Sequence, residues 1–137
     1  MQTLSILRHT FKKEERLHSK LLIGRLFANG KSFFIHPFKI TFLEIKKSKG
    51  PSAQVMISVS KRNITSAIRR NRIKRLIRET YRKNKFIICD NYKDKPDTQL
   101  IIGLVYVAKT IETYSEIERK LILILHRLID KDEGSNR

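Results

Sequence analysis

The spacing of apolar residues changes several times along the chain, and each change predicts an element. From Arg16 to Asn29, Leu17, Leu21, Leu22, Leu26 and Phe27 recur at helical intervals, and Gly30 stands where a C-cap glycine belongs. Beyond Pro37 the period shortens to two: Phe38, Ile40 and Phe42 alternate with Lys39, Thr41 and Leu43, which predicts a strand. Residues 46–52, KKSKGPS, carry turn punctuation. Val55, Ile57 and Val59 then alternate with Met56, Ser58 and Ser60, predicting a second strand that runs straight into a strongly basic stretch. Residues 84–99 are mainly polar and read as a loop, although FIIC within them is apolar. The continuous apolar run LIIGLVYV at 100–107 reads as a buried central strand. Ser115 with Glu118 forms a capping-box pattern ahead of Ile117, Leu121, Ile124, Leu125 and Leu128 at helical spacing. Helix, strands, basic helix, strand, helix is an α+β order without repeats. It predicts a single small layered domain over 1–137, with flexible ends at 1–10 and 130–137.

The basic stretch is KRNITSAIRRNRIKRLIRETYRKNK, residues 61–85. It holds eleven Lys or Arg against the single acid Glu79, and so carries ten of the chain's seventeen net positive charges. On a helix over 69–82, Ile73, Leu76, Ile77, Thr80 and Tyr81 share one side and can pack on a sheet. Arg72, Arg75 and Arg82 form one exposed sector with Glu79, and Arg70, Asn71, Lys74 and Arg78 form a second beside it. Thr65 or Ser66 can cap the start, while Ala67 and Ile68 lie off the apolar stripe. A merely solvated face would balance its charges in i,i+4 acid–base pairs. Here Arg70, Lys74 and Arg78 are like-charged neighbours, each pair costing about 0.3 kcal/mol. The preference for arginine within the helix favours forked contacts to phosphate.

Whole-chain composition points the same way. Thirty basic residues against thirteen acidic ones give a pI near 10.4. Such a surface calls for an anionic partner, nucleic acid first and an anionic membrane second. The N-terminal stretch lacks a signal peptide's apolar core, and LILIL at 121–125 falls well short of the roughly 20 apolar residues that span a bilayer. No membrane association is therefore expected, and the location expected is the cytoplasm. The lone Cys89 makes neither an internal disulfide nor a CxxC metal site, which fits a reducing compartment.

Catalytic constellations are missing from the pattern. The carboxylates fall mostly in loops, the first turn of the last helix and the C-terminal tail. Asp90, Asp94 and Asp97 match no metal-loop spacing, and His9, His18, His36 and His126 share no ligand or triad spacing with each other or with Cys89. No GxGxxG or GxxxxGK[ST] occurs. Neither a catalytic residue nor a metal ligand is assigned to the chain.

The segment VSKRNITSAIRRNRIKRLIRETYR resembles the signature of the bacterial ribonuclease P protein component: a strand ending V-S-K-K/R, then a helix with A-x-x-R-N-R-x-K-R-L-x-R-E. The matching residues are Val59, Ser60, Lys61, Arg62, Ala67, Arg70, Asn71, Arg72, Lys74, Arg75, Leu76, Arg78 and Glu79. Phe11, Lys12, Lys13, Arg16 and Leu17 resemble the family's opening segment, and the likeness extends from about Phe11 to Leu128. Many members carry a glycine between strand and helix, where this chain has Asn63, Ile64, Thr65 and Ser66.

The resemblance implies a two-layer α-β sandwich with a left-handed βαβ crossover, against the usual right-handed rule. It implies the accessory protein subunit of an endoribonuclease whose catalytic RNA removes the 5′ leader of precursor tRNA. The Mg²⁺ would be held mainly by that RNA or the substrate. Partners would be the catalytic RNA and the single-stranded leader, with no obligate protein partner. On the family pattern Arg70, Asn71, Lys74 and Arg78 border a leader cleft, and Arg72, Arg75 and Arg82 face the catalytic RNA. Lys12, Lys13, Arg16, Lys61 and Arg62 would contact RNA as well, the lysines and Arg62 at backbone phosphate. Phe27 and the strand residues Phe38, Ile40 and Phe42 would supply the cleft's apolar floor, core packing being their alternative role. A general RNA-binding protein, a helix-turn-helix DNA binder and a protein-only nuclease are the rival readings; the second needs a short helix and tight turn before the basic helix, where a strand is expected.

Overall fold

In the computed structural model, residues 11–47 and 50–134 are described. A short 3-10 turn at Lys13–Glu15 precedes helix α1 (Lys20–Asn29), strands β1 (Lys31–Ile35), β2 (Phe38–Lys46) and β3 (Ala53–Val59), helices α2 (Ala67–Asn84) and α3 (Phe86–Tyr92), strand β4 (Thr98–Tyr106) and helix α4 (Tyr114–Gly134). The four strands form one sheet in the order β1-β2-β4-β3. Pairs β1–β2 and β2–β4 are antiparallel, whereas β3 and β4 run parallel, joined by a crossover that contains α2 and α3.

Strand alternation sends one set of side chains to each face. Phe38, Ile40 and Phe42 lie opposite Tyr106, Leu104 and Ile102, so these six share a face. They are buried there with Ile73, Ile77 and Tyr81 of α2 and the apolar stripe of α4. On the other face Leu43, Ile45, Ile101 and Met56 pack with Leu17, Leu22, Ile23 and Leu26. The helical layer of the sandwich is therefore α2–α4, while α1 covers only one end of the second face.

Several elements differ from the sequence reading. Arg16 and Leu17 are not helical: Arg16 bridges Val55 in parallel, and the Leu17 amide donates to the Val55 carbonyl at 3.0 Å. Helix α1 starts only after Ser19, whose hydroxyl accepts from the Leu22 amide. Strand β1 lies in the stretch before Pro37, and α3 folds the apolar FIIC with Ile88 and Tyr92 buried. Helix α4 begins before the Ser115–Glu118 box: Thr113 accepts from the Glu116 amide, while Glu118 accepts from Asn84 of α2. Its C-terminal end continues to Gly134, past the expected tail start at 130; residues 1–10 and 135–137 lie outside the described residues.

Gly30 is required by space. Its backbone is extended (φ −75°, ψ 165°), but a Cβ there would lie 2.4 Å from the Leu26 carbonyl oxygen and 2.8 Å from that of Phe42. Only glycine lets the chain leave α1 pressed this closely against β2.

Candidate nucleic-acid interface

The connection from β3 to the basic helix is tied down at each step. The Ser60 amide donates to the Tyr106 carbonyl, Asn63 Nδ2 to the Val107 carbonyl at 2.5 Å, and the Ile64 amide to the Ser60 carbonyl, with the Ile64 side chain buried. The Ser66 hydroxyl then caps α2 by accepting from the Arg69 amide at 3.3 Å. Arg70 reaches back, its Nη1 donating to the carbonyls of both Ile64 and Thr65 at 2.9 Å. Among the described residues no non-glycine has positive φ, so nothing in Asn63–Ser66 calls for glycine.

Ile73, Ile77, Thr80 and Tyr81 seat α2 in the core, with Leu76 half-buried beside them. Asn71, Arg72, Arg75 and Arg78 are exposed; Arg70, Lys74 and Arg82 are half-buried. Within the Arg72/Arg75/Arg82 sector, Arg82 pairs with Glu79 at 2.6 Å. That hydrogen bond holds the Glu79 carboxyl below the usual carboxylate range and raises the Arg82 guanidinium. Arg70 has a structural role, yet its clamp uses only Nη1, and the guanidinium's remaining N–H groups stay available for other acceptors. Lys61 and Arg62 are exposed on the strand–helix connection.

The opening segment docks on the far end of the same helix. The Phe11 ring meets Tyr81 edge-on with centroids 5.4 Å apart, Arg16 lies over Phe11 at 5.1 Å, and Glu15 bonds Lys85. Lys12, Lys13 and Arg16 are exposed around this anchor. A cavity of about 480 Å³ lies beside it, lined in part by Lys12, Glu15, Lys85 and Cys89; its lysines are matched by Glu14, Glu15 and Asp90, so it lacks the unbalanced charge of α2.

The expected cleft floor is corrected by burial. Phe38 and Ile40 are fully buried and Phe42 is 9% exposed, all on the face covered by α2 and α4. They are core residues. The second face offers different groups. Since α1 covers the Leu43–Ile101 end, the row Lys39, Val105 and Ser58, one residue from each of β2, β4 and β3, lies beyond it. Phe27, 51% exposed, stands at the edge of this strip, above Gly103. A Cβ on Gly103 would lie 3.4 Å from Phe27 Cζ and 3.3 Å from Leu26 Cδ2, so the glycine lets α1 sit close to the sheet. The β3–α2 connection, with Lys61 and Arg62, borders the strip at the strand ends. The sequence signal for this face was the glycine inside an apolar strand together with Lys39 inside an alternating one.

The match that decides the family covers nearly the whole fold: a family model described as Ribonuclease P fits residues 11–128. The chain belongs to the ribonuclease P protein family. It is 31% identical over 129 residues to the ribonuclease P protein component of Chlorobium phaeobacteroides, covering 88% of each chain. Among solved structures, the ribonuclease P protein of Thermotoga maritima matches at 26% identity with a TM-score of 0.62, over 82% of this chain and 96% of that one. A mutant of the Staphylococcus aureus ribonuclease P protein shares the fold with a TM-score of 0.67 at 22% identity, over 93% and 96%. Family membership implies a part in an endoribonuclease complex of tRNA processing, with an RNA subunit as partner.

No three His, Cys, Asp or Glu side chains converge as a metal-holding group among the described residues. Among the same residues no helix is long and apolar enough to cross a membrane.

Proposed function

We propose that this chain binds both the catalytic RNA of ribonuclease P and the single-stranded 5′ leader of precursor tRNA, and so assists RNA-catalysed, Mg²⁺-dependent removal of the leader. The carrying observation is helix α2: its apolar side is seated in the core, and its cations are displayed with one carboxylate among them. Arg72 and Arg75, with the Glu79-paired Arg82, face the catalytic RNA. Asn71, Lys74 and Arg78, with Arg70 braced on the connection, border the leader path, which runs along the strip beside Phe27. Exposed Lys12, Lys13, Arg16, Lys61 and Arg62 contact RNA around these surfaces, with phosphate the natural acceptor. The Mg²⁺ belongs to the RNA or the substrate in this reading, and the protein's part is positioning and charge neutralisation. A cytoplasmic location goes with it.

The test is reconstitution. The protein is added to its cognate catalytic RNA at low Mg²⁺, and cleavage of precursor tRNA is followed. The expected result is a marked rise in cleavage; no rise sinks the proposal. Cleavage by the protein without RNA overturns the assignment of chemistry to the RNA.

A further inference from the structure

The strip beyond α1 does not stop at β2. Phe34 of β1 lies directly opposite Lys39, so the row continues across the sheet as Ser58, Val105, Lys39 and Phe34. Four strands at about 4.8 Å spacing give a band roughly 14 Å long. At its outer end Phe34 is 55% exposed, and its ring neighbour is His36, edge-on with centroids 6.3 Å apart. The adjacent ring behaves differently: Phe33 turns to the other face, packs edge-on against Phe42 and lies beneath the Arg127 guanidinium at 4.4 Å. Two consecutive phenylalanines thus part, one into the core and one onto the strip beside a lysine and a histidine.

A half-exposed ring with a cation on the paired residue combines what single-stranded nucleic acid needs, a stacking surface and a phosphate partner. The chain's charge of +17 favours an anionic occupant over a second copy of itself. We propose that Phe34, with Lys39 and His36, forms an aromatic subsite on the β1–β2 hairpin that stacks a base of the leader after it has crossed the strip. The proposal rests on the leader-binding reading above and fixes where the path ends.

The experiment uses the full chain reconstituted with catalytic RNA and precursor tRNAs whose leaders are lengthened one nucleotide at a time. Wild-type affinity rises in steps with length. Phe34→Ala binds short leaders normally and long leaders about tenfold more weakly, the scale of one stacked base. Phe34→Trp retains the final step, and thermal unfolding of both variants matches wild type because the position is on the surface. An equal loss at every length, or none at any length, overturns the subsite. If the wild type itself shows no dependence on leader length, the leader-binding reading fails, and the subsite with it. If that dependence is present and Phe34→Ala preserves it, the subsite alone fails.

Discussion

Lys85 Nζ lies 2.5 Å from a Glu15 carboxylate oxygen, joining the end of the basic helix to a segment 70 residues earlier. Both side chains are largely shielded, at 7% and 16% exposure, and the second Glu15 oxygen accepts from the Lys12 amide. Glu15→Gln leaves a buried ammonium without its carboxylate and is expected to cost about 3 kcal/mol in urea unfolding. The double variant Glu15→Leu, Lys85→Met should recover most of that loss. If the double variant is as unstable as the two single changes combined, the charge pair is not the origin of the effect.

The two sectors of α2 predict separable defects. Arg75→Ala should weaken binding of the catalytic RNA about tenfold, as for one charge-assisted phosphate contact, and lower the salt dependence by about one counterion. Arg78→Ala should weaken binding of precursor tRNA with a long leader more than binding of leaderless tRNA. Titrations of both variants against both ligands decide this, and identical profiles would remove the division between faces.

Phe27 and Phe38 should behave oppositely. Phe38 is fully buried against Tyr106, so Phe38→Ala is expected to cost about 4 kcal/mol. Phe27→Ala should change stability by less than about 1 kcal/mol, yet reduce leader affinity about tenfold. Denaturation and binding measured on the same two preparations would show whether the strip or the core carries the leader.

Alkaline pH should unfold the chain. Burial raises Tyr106 above the ordinary tyrosine value and raises Tyr81 well above it. A group whose folded pKa is raised contributes stability that is complete below its unfolded value, near 10, and is lost as pH rises beyond it. Phenolate absorbance from these tyrosines should therefore appear together with loss of helical circular dichroism as pH rises above about 10. Full ionisation with the helices intact would contradict their burial.

The basic helix was legible because its seat and its display differ at every turn: Ile73, Ile77, Thr80 and Tyr81 are buried as the helical period requires, and Ser66 is one of the two expected caps. What escaped had weaker signals. Strand β1 is an edge strand with Phe34 facing solvent, so SFFI shows no clean alternation, and only two residues separate it from β2. Helix α3 spans seven residues, too few for periodicity to declare itself. For Phe38, Ile40 and Phe42 the pattern leaves the choice of face open, and the structure buries them. Alternation divides β2 into two sets but does not say which set a helix covers, and the larger apolar residues went to the core. Leu17 looked helical because its spacing fits, but its amide is taken by β3.

The docking of Arg16 and Leu17 along Val55 also fixes an order of events. This segment leaves the ribosome before its partners Val55, Tyr81 and Lys85 exist as structure, and it cannot close the outer edge of β3 until the sheet and α2 are in place. It therefore latches only after β3 and α2 have formed. The Leu17 amide should exchange with solvent through an opening that leaves the amides of β4 protected. Until the latch closes, a folding chain presents an open strand edge, the surface on which neighbouring chains pair and aggregate.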